Sequence, residues 1–435
     1  MKFNVYTLGC KVNTYESEAL TNLLEEKGFT LTFDDEEADV IIVNTCTVTQ
    51  TSDSKSRKML RSLAKKNPNA LIVVMGCYSQ LNKEEASEYA NIVIGTTNRT
   101  KIYDLIMSYM ETKQAINIVD TNFFDVSFED MKLHRLSKHT RGFIKIQDGC
   151  ENFCAYCAIP YSRGPIRSRL PESVIEEINV LVNNGVKEVI LSGINTGTYG
   201  YDLKTINLAG LLEMICTKTA IERIRLSSIE LMEISDDLLN VCKKYSDRIA
   251  NHLHIPLQAG ADNTLRRMNR KYLTDDYRKT ILKIKEMFED VAVTTDCLAG
   301  FVGETEEDFK DALNFIEEMG FASMHIFPYS RRKNTKADEM EGHLNPKVIH
   351  ERAREMIALS KKLKKNYNEQ FLNKEVDVLF ETIKNGYYVG HSSNYLEVLV
   401  KSDIDLTNQI LKVKITKINE ENMKGELVWN LVTII

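Results

Sequence analysis

The chain has 435 residues, of which 43% are hydrophobic and 27% charged, enough apolar material for two or three domains. No run approaches about eighteen apolar residues, and the first residues lead straight into a strand-like segment. We therefore expect neither a membrane span nor a signal peptide, and a cytoplasmic protein. The odd number of nine cysteines favours metal binding over a disulfide framework. The net charge of −6 does not indicate a nucleic-acid-binding protein.

Residues 1–113 alternate short apolar runs with helix-like stretches, which predicts an α/β fold with a flavodoxin- or Rossmann-like parallel sheet. The predicted strands are Phe3–Leu8, Asp39–Val43, Ala70–Met75 and Ile92–Ile94, and the predicted helices between them are Glu16–Lys27 and Ser54–Lys66.

A cysteine follows each of the first three predicted strands, namely Cys10, Cys46 and Cys77. Because the carboxyl ends of parallel strands line one edge of a sheet, where ligands bind, we expect these three thiols to converge. Three thiolates can hold three irons of a [4Fe–4S] cluster and leave the fourth iron open. The alternative is that each is a buried thiol that packs as a small hydrophobic side chain.

From about residue 141 to residue 327, strands and helices alternate on a longer period. Six β/α units predict a partial (β/α)6 barrel whose reactive mouth lies at the carboxyl ends of its strands. The predicted strands are Gly142–Gln147, Lys187–Ser192, Arg223–Ser227, His252–Leu257, Val291–Asp296 and Ala322–Phe327, and helices are expected at Pro171–Asn184, Asp275–Glu289 and Glu306–Met319.

Directly after the first of these strands, Cys150, Cys154 and Cys157 form a C-x3-C-x2-C triplet. On one short loop, three thiolates can again hold a cubane cluster with one open iron. The alternatives are a zinc knuckle or three unrelated thiols, but zinc normally takes four ligands and no further Cys or His follows closely. Cys216 and Cys242 lie in apolar helical contexts and are expected to be structural thiols.

The triplet resembles the signature of the radical S-adenosylmethionine (SAM) enzymes, in which the open iron chelates SAM. Tyr156 fits, since an aromatic residue commonly precedes the last cysteine in these enzymes. Polar residues at the other strand ends are then candidates for SAM contacts, although a cap or a tight turn is the alternative for each of them. These candidates are Gly193, Asn195, Ser228, Glu230, His254, Gln258 and Asp296.

Residues 347–366 form a basic helix, and five short strands follow it, which predicts a small antiparallel β-barrel of the OB type. Such barrels often bind nucleic acids, but residues 368–435 carry seven Lys and no Arg against ten acidic residues. Basic clusters elsewhere could border a groove for RNA. The strands are Val376–Phe380, Tyr387–His391, Tyr395–Val400, Ile410–Lys417 and Leu427–Val432, and the clusters lie within Lys55–Arg61, Arg266–Lys271 and Arg331–Lys336.

From end to end, the chain resembles the radical SAM methylthiotransferases. The segments Gly9–Ser17, Gly149–Pro160 and His325–Ser330 carry most of the resemblance. Within that family, Lys11-Val12-Asn13 and Glu16 resemble the branch that acts on N6-threonylcarbamoyladenosine in tRNA. They differ from the isopentenyladenosine branch and from the branch that modifies a ribosomal protein.

The resemblance implies a methylthiotransferase N-terminal domain at 1–113, a radical SAM core at 136–366 and an RNA-binding TRAM domain at 367–435. Cys10, Cys46 and Cys77 would hold an auxiliary [4Fe–4S] cluster, and Cys150, Cys154 and Cys157 the SAM-cleaving one. The implied reaction converts N6-threonylcarbamoyladenosine at position 37 of tRNA to its 2-methylthio derivative. One SAM is the methyl donor, and a second SAM is the source of a 5′-deoxyadenosyl radical.

The implied partners are the tRNA anticodon stem-loop, an electron donor of the flavodoxin or ferredoxin type and a sulfur source, with no membrane and a monomeric enzyme. Two alternatives remain open at this point. The first is a methylthiotransferase acting on isopentenyladenosine in tRNA or on a ribosomal protein. The second is a non-enzymatic iron–sulfur sensor that binds RNA.

Overall fold

The structure is a computed structural model that describes residues 1–123, 126–136, 140–419 and 422–428. It consists of a parallel α/β sheet, a partial β/α barrel and a small closed β-barrel, in chain order. In the described part of the chain, no helix is both long enough and apolar enough to cross a membrane.

The first unit is a six-stranded sheet in the order β2-β1-β3-β4-β5-β6, and every pair is parallel. This order, apart from its sixth strand, is that of the flavodoxin-like folds, with the topological switch point between β1 and β3. Its elements are β1 (Lys2–Thr7), α1 (Lys11–Glu26), β2 (Thr30–Leu31), β3 (Val40–Thr45), α2 (Gln50–Lys66), β4 (Leu71–Gly76), α3 (Cys77–Leu81), α4 (Lys83–Ser87), β5 (Ile92–Ile94), α5 (Ile102–Thr112) and β6 (Ile116–Ile118).

The apolar runs of this sheet are buried on both faces, as the sequence predicts for parallel strands. In β3, Val40 and Ile42 pack into one core cluster, while Ile41 and Val43 pack into the cluster on the opposite face. All four predicted strands are present, and β2 and β6 are additional short strands.

The second unit contains two three-stranded parallel sheets, β11-β10-β7 and β12-β13-β14. Parallel bridges from Ile224 to Ile249 and from Ser228 to His254 join them, so the predicted six-stranded partial barrel is confirmed. Its elements are β7 (Arg141–Lys145), β8 (Gln147–Asp148), α6 (Ile159–Arg163), β9 (Arg167–Ser168), α7 (Pro171–Asn183), β10 (Glu188–Ser192), α8 (Leu208–Lys218), β11 (Arg223–Leu226), α9 (Asp236–Lys244), β12 (His252–His254), α10 (Asp262–Arg267), α11 (Thr274–Met287), β13 (Ala292–Ala299), α12 (Glu306–Met319), β14 (Ser323–Pro328) and α13 (Lys336–Glu339).

The third unit is a long helix followed by a closed barrel in the order β15-β16-β17-β19-β18. The prediction of an antiparallel barrel needs one correction, because β17 and β19 are parallel. An odd number of strands cannot close into a ring in which every pair is antiparallel. The elements are α14 (Pro346–Glu369), β15 (Glu375–Lys384), β16 (Tyr387–Ser392), β17 (Glu397–Val400), β18 (Ile410–Ile418) and β19 (Met423–Leu427).

Only residues 427 and 428 of the last predicted strand are described. The sequence pattern places it at 427–432, whereas β19 spans Met423–Leu427, and residues 429–435 lie outside the described part of the chain. Pairing with β18 explains the difference, since Met423 lies opposite Ile418 and Leu427 opposite Val413.

The closed barrel covers the amino-terminal end of the β/α barrel. Arg225 of β11 donates from its two terminal nitrogens to the carbonyl oxygens of Ser392 and Ser393, at 3.0 and 2.9 Å. The Tyr395 ring stacks on His252 with centroids 5.0 Å apart, and the Arg225 guanidinium lies 4.9 Å from the Tyr395 centroid. The carboxyl-terminal mouth, where a barrel carries its active site, is therefore left open by this unit.

The buried His252 predicts acid-sensitive stability. Burial, followed by the charges of Arg225, His254 and Lys11, holds the pKa of His252 well below its usual value. The folded chain keeps this ring neutral, while the unfolded chain protonates it below about pH 6.5. The contribution of His252 to the free energy of unfolding is thus complete above that pH. It is lost as the pH falls, by at most about 1.4 kcal/mol per pH unit.

Urea unfolding of the metal-free chain between about pH 7.5 and about pH 5.5 measures this slope. We expect His252→Gln to have a shallower slope than the parent chain. The control is Asn207→Ala, which removes the N-cap of α8 but no titratable group and should retain the parent slope. Equal slopes for the parent chain and for His252→Gln would contradict the assignment.

Candidate active site

The structure brings Cys10, Cys46 and Cys77 to one edge of the first sheet. Cys10 precedes α1 after β1, Cys46 follows β3 directly, and Cys77 is the first residue of α3 after β4. Since β1, β3 and β4 are neighbours in the sheet, their carboxyl ends lie side by side. Cys10 and Cys46 flank the switch point between β1 and β3, where α/β sheets bind ligands.

Gly9 allows the first two of these loops to meet. Its φ angle is +121°, a left-handed conformation, and a Cβ atom placed there would lie 2.8 Å from the Cβ atom of Cys46. Any larger residue would force the loops apart. Cys46 and Cys77 are buried, whereas Cys10 is exposed to the adjoining cavity.

The second cysteine set lies on the loop after β8, at the carboxyl end of the first barrel strands. The Cys157 N–H donates to the Cys154 carbonyl oxygen at 2.9 Å, and the Cys150 N–H donates to the Gly164 carbonyl oxygen at 3.0 Å. Both bonds fold the loop back on itself, so that three half-buried thiols share one short turn.

Two arginines, which the sequence did not identify as site residues, each donate to a cysteine sulfur. Arg163 Nε lies 3.1 Å from Cys77 Sγ, and Arg270 Nη1 lies 3.2 Å from Cys154 Sγ. Arg270 also forms an ion pair with Glu230. Each cysteine set therefore has one cationic donor on one sulfur, the arrangement that stabilises a thiolate.

The thiols of Cys46, Cys150 and Cys157 are protonated at neutral pH when they bind nothing. Burial raises the pKa of Cys46 and Cys150 to about 11 and that of Cys157 to about 12. Metal ligation requires thiolates, so loading of either set releases protons. Among the described residues, no group of three or more Cys, His, Asp or Glu side chains is arranged so that it could hold one metal ion. Donor sets made only of sulfur, each with an arginine N–H beside it, fit an iron–sulfur cluster better than a hard cation.

Four of the SAM-contact candidates lie on or near the cysteine loop. Tyr156 packs edge-on against Phe301, with centroids 6.2 Å apart, and Glu230 holds Arg270. Asn195 is buried, and neither its side-chain oxygen nor its nitrogen has a hydrogen-bond partner among the described residues. Such an amide is ready to bind a polar ligand, because it is costly to leave unpaired.

Gly193 lies against the side chain of Gln147. A Cβ atom at Gly193 would lie 2.9 Å from Gln147 Oε1. The Gln147 amide in turn donates to the carbonyl oxygens of Asp148 and Gly149, at 2.9 and 2.7 Å. Gly193 therefore makes room for the side chain that fixes the start of the cysteine loop.

The other four candidates form a separate group across β12 and β13. His254 Nε2 lies 3.2 Å from Asp296 Oδ2, and the backbone of His254 bridges to Ser228. Gln258 has a φ angle of +65°, and its N–H donates to the Asp296 carbonyl oxygen at 2.8 Å. The structure therefore joins these four residues to one another.

Three arginines of the basic clusters bind other parts of the molecule. Arg267 donates to the carbonyl oxygens of Val302 and Glu341, and Arg270 is bound to Cys154. Arg332 donates to the carbonyl and hydroxyl oxygens of Thr47, which ties the first unit to the barrel. Part of the hydrogen-bonding capacity of these three arginines is therefore used within the molecule.

A cavity of about 910 Å³ opens between the first unit and the barrel. Cys10 and Cys46 lie on one wall, and the opposite wall contains Phe327, Arg331 and His350. Phe327 is exposed in this cavity, as a platform for a stacked base would be. The cavity is large enough for a nucleoside.

Two family profiles match the chain. The profile of the radical SAM superfamily matches residues 144–316, and that of the uncharacterized protein family UPF0004 matches residues 2–95. Together with the six-stranded partial barrel and its C-x3-C-x2-C loop, the first match makes the chain a radical SAM enzyme.

Full-length relatives define the family. The chain is 42% identical to the threonylcarbamoyladenosine tRNA methylthiotransferase MtaB of Bacillus subtilis (strain 168), over 97% of this chain and 95% of the relative. It is 34% identical to the protein of the same name from Chlamydia pneumoniae, over 98% of each. It is 35% identical to tRNA-2-methylthio-N(6)-dimethylallyladenosine synthase of Caldicellulosiruptor saccharolyticus, over 98% of this chain and 92% of the relative. The chain belongs to the radical SAM methylthiotransferase family, whose cofactors are SAM and [4Fe–4S] clusters.

Solved structures share the fold. The radical SAM methyltransferase TsrM from Kitasatospora setae has a TM-score of 0.55 at 14% identity, over 78% of this chain and 74% of that one. The cobalamin-dependent radical SAM enzyme OxsB has a TM-score of 0.51 at 11% identity, over 83% of this chain and 56% of that one. At these identities the likeness extends to the fold alone.

Proposed function

We propose that the enzyme converts N6-threonylcarbamoyladenosine at position 37 of tRNA to its 2-methylthio derivative. The observation that carries the proposal is the pair of three-cysteine sites, one at the switch point of the first sheet and one at the mouth of the barrel. The 42% identity to a relative named for this nucleoside supports the choice of substrate over dimethylallyladenosine, for which the relative cited above is 35% identical.

In this proposal, Cys150, Cys154 and Cys157 hold the SAM-cleaving cluster, and Cys10, Cys46 and Cys77 hold the auxiliary one. When bound, these groups and SAM supply the methyl group, the sulfur and the radical chemistry that an unactivated aromatic C–H bond requires. The chain's own residues hold the sulfurs, exclude water and bring the target base between the two sites.

We assign the target nucleoside to the cavity between the first unit and the barrel. Cys10 and Cys46 line this cavity, so a base held there lies beside the first cysteine set. Phe327 offers a stacking surface, and Arg331 and His350 offer cationic or polar contacts for an anticodon stem-loop.

The organisation we propose is a methylthiotransferase N-terminal domain at 1–113, a radical SAM core at 136–366 and a TRAM domain at 367–435. Strand β6 adds Ile116–Ile118 to the sheet of the first domain. All nine cysteines are described, and none forms a disulfide. We propose a cytoplasmic monomer that takes electrons from a flavodoxin or ferredoxin and sulfur from a separate donor.

Asn195 provides a test of the SAM site. Its unpartnered amide should bind SAM, so Asn195→Ala should weaken SAM binding about tenfold, or about 1.4 kcal/mol. Without SAM, the same change should not lower the free energy of unfolding, because it removes an unpaired buried polar group. Calorimetric titration with SAM and urea unfolding measure the two effects.

The matched control for Asn195→Ala is Asn207→Ala. The Asn207 side chain caps α8 by accepting from the Gly210 N–H at 2.9 Å. Its loss should cost about 1 kcal/mol of stability and leave SAM affinity unchanged. If Asn195→Ala behaved in the same way as this control, Asn195 would be a structural residue.

Nucleoside mass spectrometry tests the function in cells. The gene is expressed in a host that lacks the 2-methylthio mark, and total tRNA is digested and compared with that of the empty host. We expect 2-methylthio-N6-threonylcarbamoyladenosine only in the presence of the gene. Appearance of only the 2-methylthio isopentenyl nucleoside would overturn the assigned substrate, and absence of both would leave a ribosomal protein as the substrate to test.

A further inference from the structure

Arg163 contacts both cysteine-bearing segments from a fully buried position. Its side chain has 0% exposure, and its Nε–H donates to Cys77 Sγ at 3.1 Å. Cys77 follows β4 in the first unit, whereas Arg163 ends α6, six residues after Cys157. One guanidinium therefore lies between the two predicted cluster sites.

The remaining nitrogens of Arg163 reach the residues next to the other cysteines. Nη1 donates to Glu16 Oε1 at 2.8 Å and to Asp148 Oδ1 at 3.1 Å. Asp148 Oδ1 also accepts a hydrogen bond at 2.9 Å from the N–H of Gly149, the residue directly before Cys150. Nη2 donates to Asn13 Oδ1 at 3.3 Å, the same oxygen that accepts the Cys10 thiol at 3.4 Å.

The charges around Arg163 leave a positive excess. Four cations and three carboxylates form one network, largely buried, so the network carries one net positive charge. The members are Arg99, Lys145, Arg163 and Arg167 against Glu16, Glu129 and Asp148.

A three-thiolate [4Fe–4S] group is anionic, and one-electron reduction adds a further negative charge to it. Hydrogen bonds to the cluster sulfurs and nearby cations favour the reduced form and raise the reduction potential. In the described part of the chain, Arg163 is the member of this network with a nitrogen within hydrogen-bond distance of a cysteine sulfur.

We propose that Arg163 is a positioning residue that raises the reduction potential of the iron–sulfur cluster at Cys10, Cys46 and Cys77 and ties it to the Cys150–Cys157 loop. The proposal rests on the proposed function, since it takes the first cysteine set as a cluster site. Arg270 has the corresponding place at Cys154 of the second cysteine set.

Redox titration followed by electron paramagnetic resonance tests this role. The parent is the full-length chain with Cys150, Cys154 and Cys157 changed to Ala and then reconstituted with iron and sulfide, so that only the first set can carry a cluster. On this background, Arg163→Gln should lower the equilibrium constant for reduction about tenfold, a shift of about 59 mV for a one-electron couple.

Two further variants separate a change in potential from a folding defect. Arg167→Gln is the matched control, because it removes the same charge from the network, at 3.6 Å from Asp148, but no contact to a cysteine sulfur, and its potential should fall by less than that of Arg163→Gln. Arg163→Lys keeps the positive charge but loses the planar set of N–H donors. It should fold, and its reduction potential should be lowered by less than that of Arg163→Gln.

The results distinguish the two proposals. A parent that binds no iron would overturn the auxiliary cluster itself, and the role of Arg163 with it. An iron-loaded parent whose potential is the same in both Arg163 variants would overturn the role of Arg163 alone. An equal shift in Arg167→Gln would also overturn it, because the effect would then belong to the whole network.

Discussion

Replacement of Cys10, Cys46 and Cys77 by alanine abolishes methylthiolation of tRNA and leaves reductive cleavage of SAM intact. The three thiols lie at the end of the first sheet, whereas the loop that carries Cys150 lies at the barrel mouth, so the first set can be lost without removing a ligand of the second. Liquid chromatography of one reaction measures both products, 5′-deoxyadenosine and the 2-methylthio nucleoside.

The control for this triple variant is Cys216→Ala. Cys216 is buried on α8, in the core of the barrel, away from both cysteine sets, and both products should form as they do in the unaltered enzyme. If the triple variant still methylthiolated tRNA, the first cysteine set would take no part in the reaction. A triple variant that also fails to cleave SAM would mean that the two sites are not separable.

Glu188→Ala is expected to cause a large loss of stability. Glu188 is fully buried, with one oxygen 3.0 Å from Arg225 Nε and the other 3.4 Å from Arg223 Nη1, while Arg141 lies 3.8 Å away. Burial alone would raise the pKa of this carboxyl, but Arg225 and the other two arginines lower it, so Glu188 is ionised. Its removal leaves the buried guanidinium groups of Arg223 and Arg225 without their counter-charge and costs about 3–5 kcal/mol.

Urea unfolding of the metal-free chain, followed by circular dichroism, measures this loss. The matched control is Glu222→Ala, which removes an exposed carboxylate 3.2 Å from Lys187 and should cost less than about 1 kcal/mol. Because Arg225 and Arg223 also bind the closed barrel, the transition of Glu188→Ala should begin with release of that unit. Equal losses for the two variants would show that the arginines are neutralised by other groups.

Much of the fold follows from local pattern. The run from Val40 to Val43 is apolar at every position, as a strand buried on both faces requires, and it is such a strand. Once the strands are known, sheet geometry brings their carboxyl ends together, so the convergence of Cys10, Cys46 and Cys77 could be predicted from sequence. Short edge strands such as β2, with two residues, give no comparable pattern.

The contacts that complete the site could not be predicted in this way. Arg163 and Cys77 are 86 residues apart, and Arg270 and Cys154 are 116 apart. A local sequence pattern does not distinguish an arginine that is buried against a cysteine sulfur from a solvated arginine. Arg270 lies in a run of basic residues that resembles an exposed surface cluster. The docking of the closed barrel through Arg225 and Ser392, 167 residues apart, depends on the same kind of long-range pairing.

The purified enzyme gives the most direct test of the central claim. The reconstituted protein is incubated without oxygen with SAM, a reductant, a sulfide source and a mixture of two tRNAs, one with N6-threonylcarbamoyladenosine and one with isopentenyladenosine. Mass spectrometry of the nucleosides should show the methylthio group on the threonylcarbamoyl nucleoside alone, together with 5′-deoxyadenosine. SAM cleavage without a methylthio product on either tRNA, or a product on the isopentenyl nucleoside alone, would contradict the proposed function.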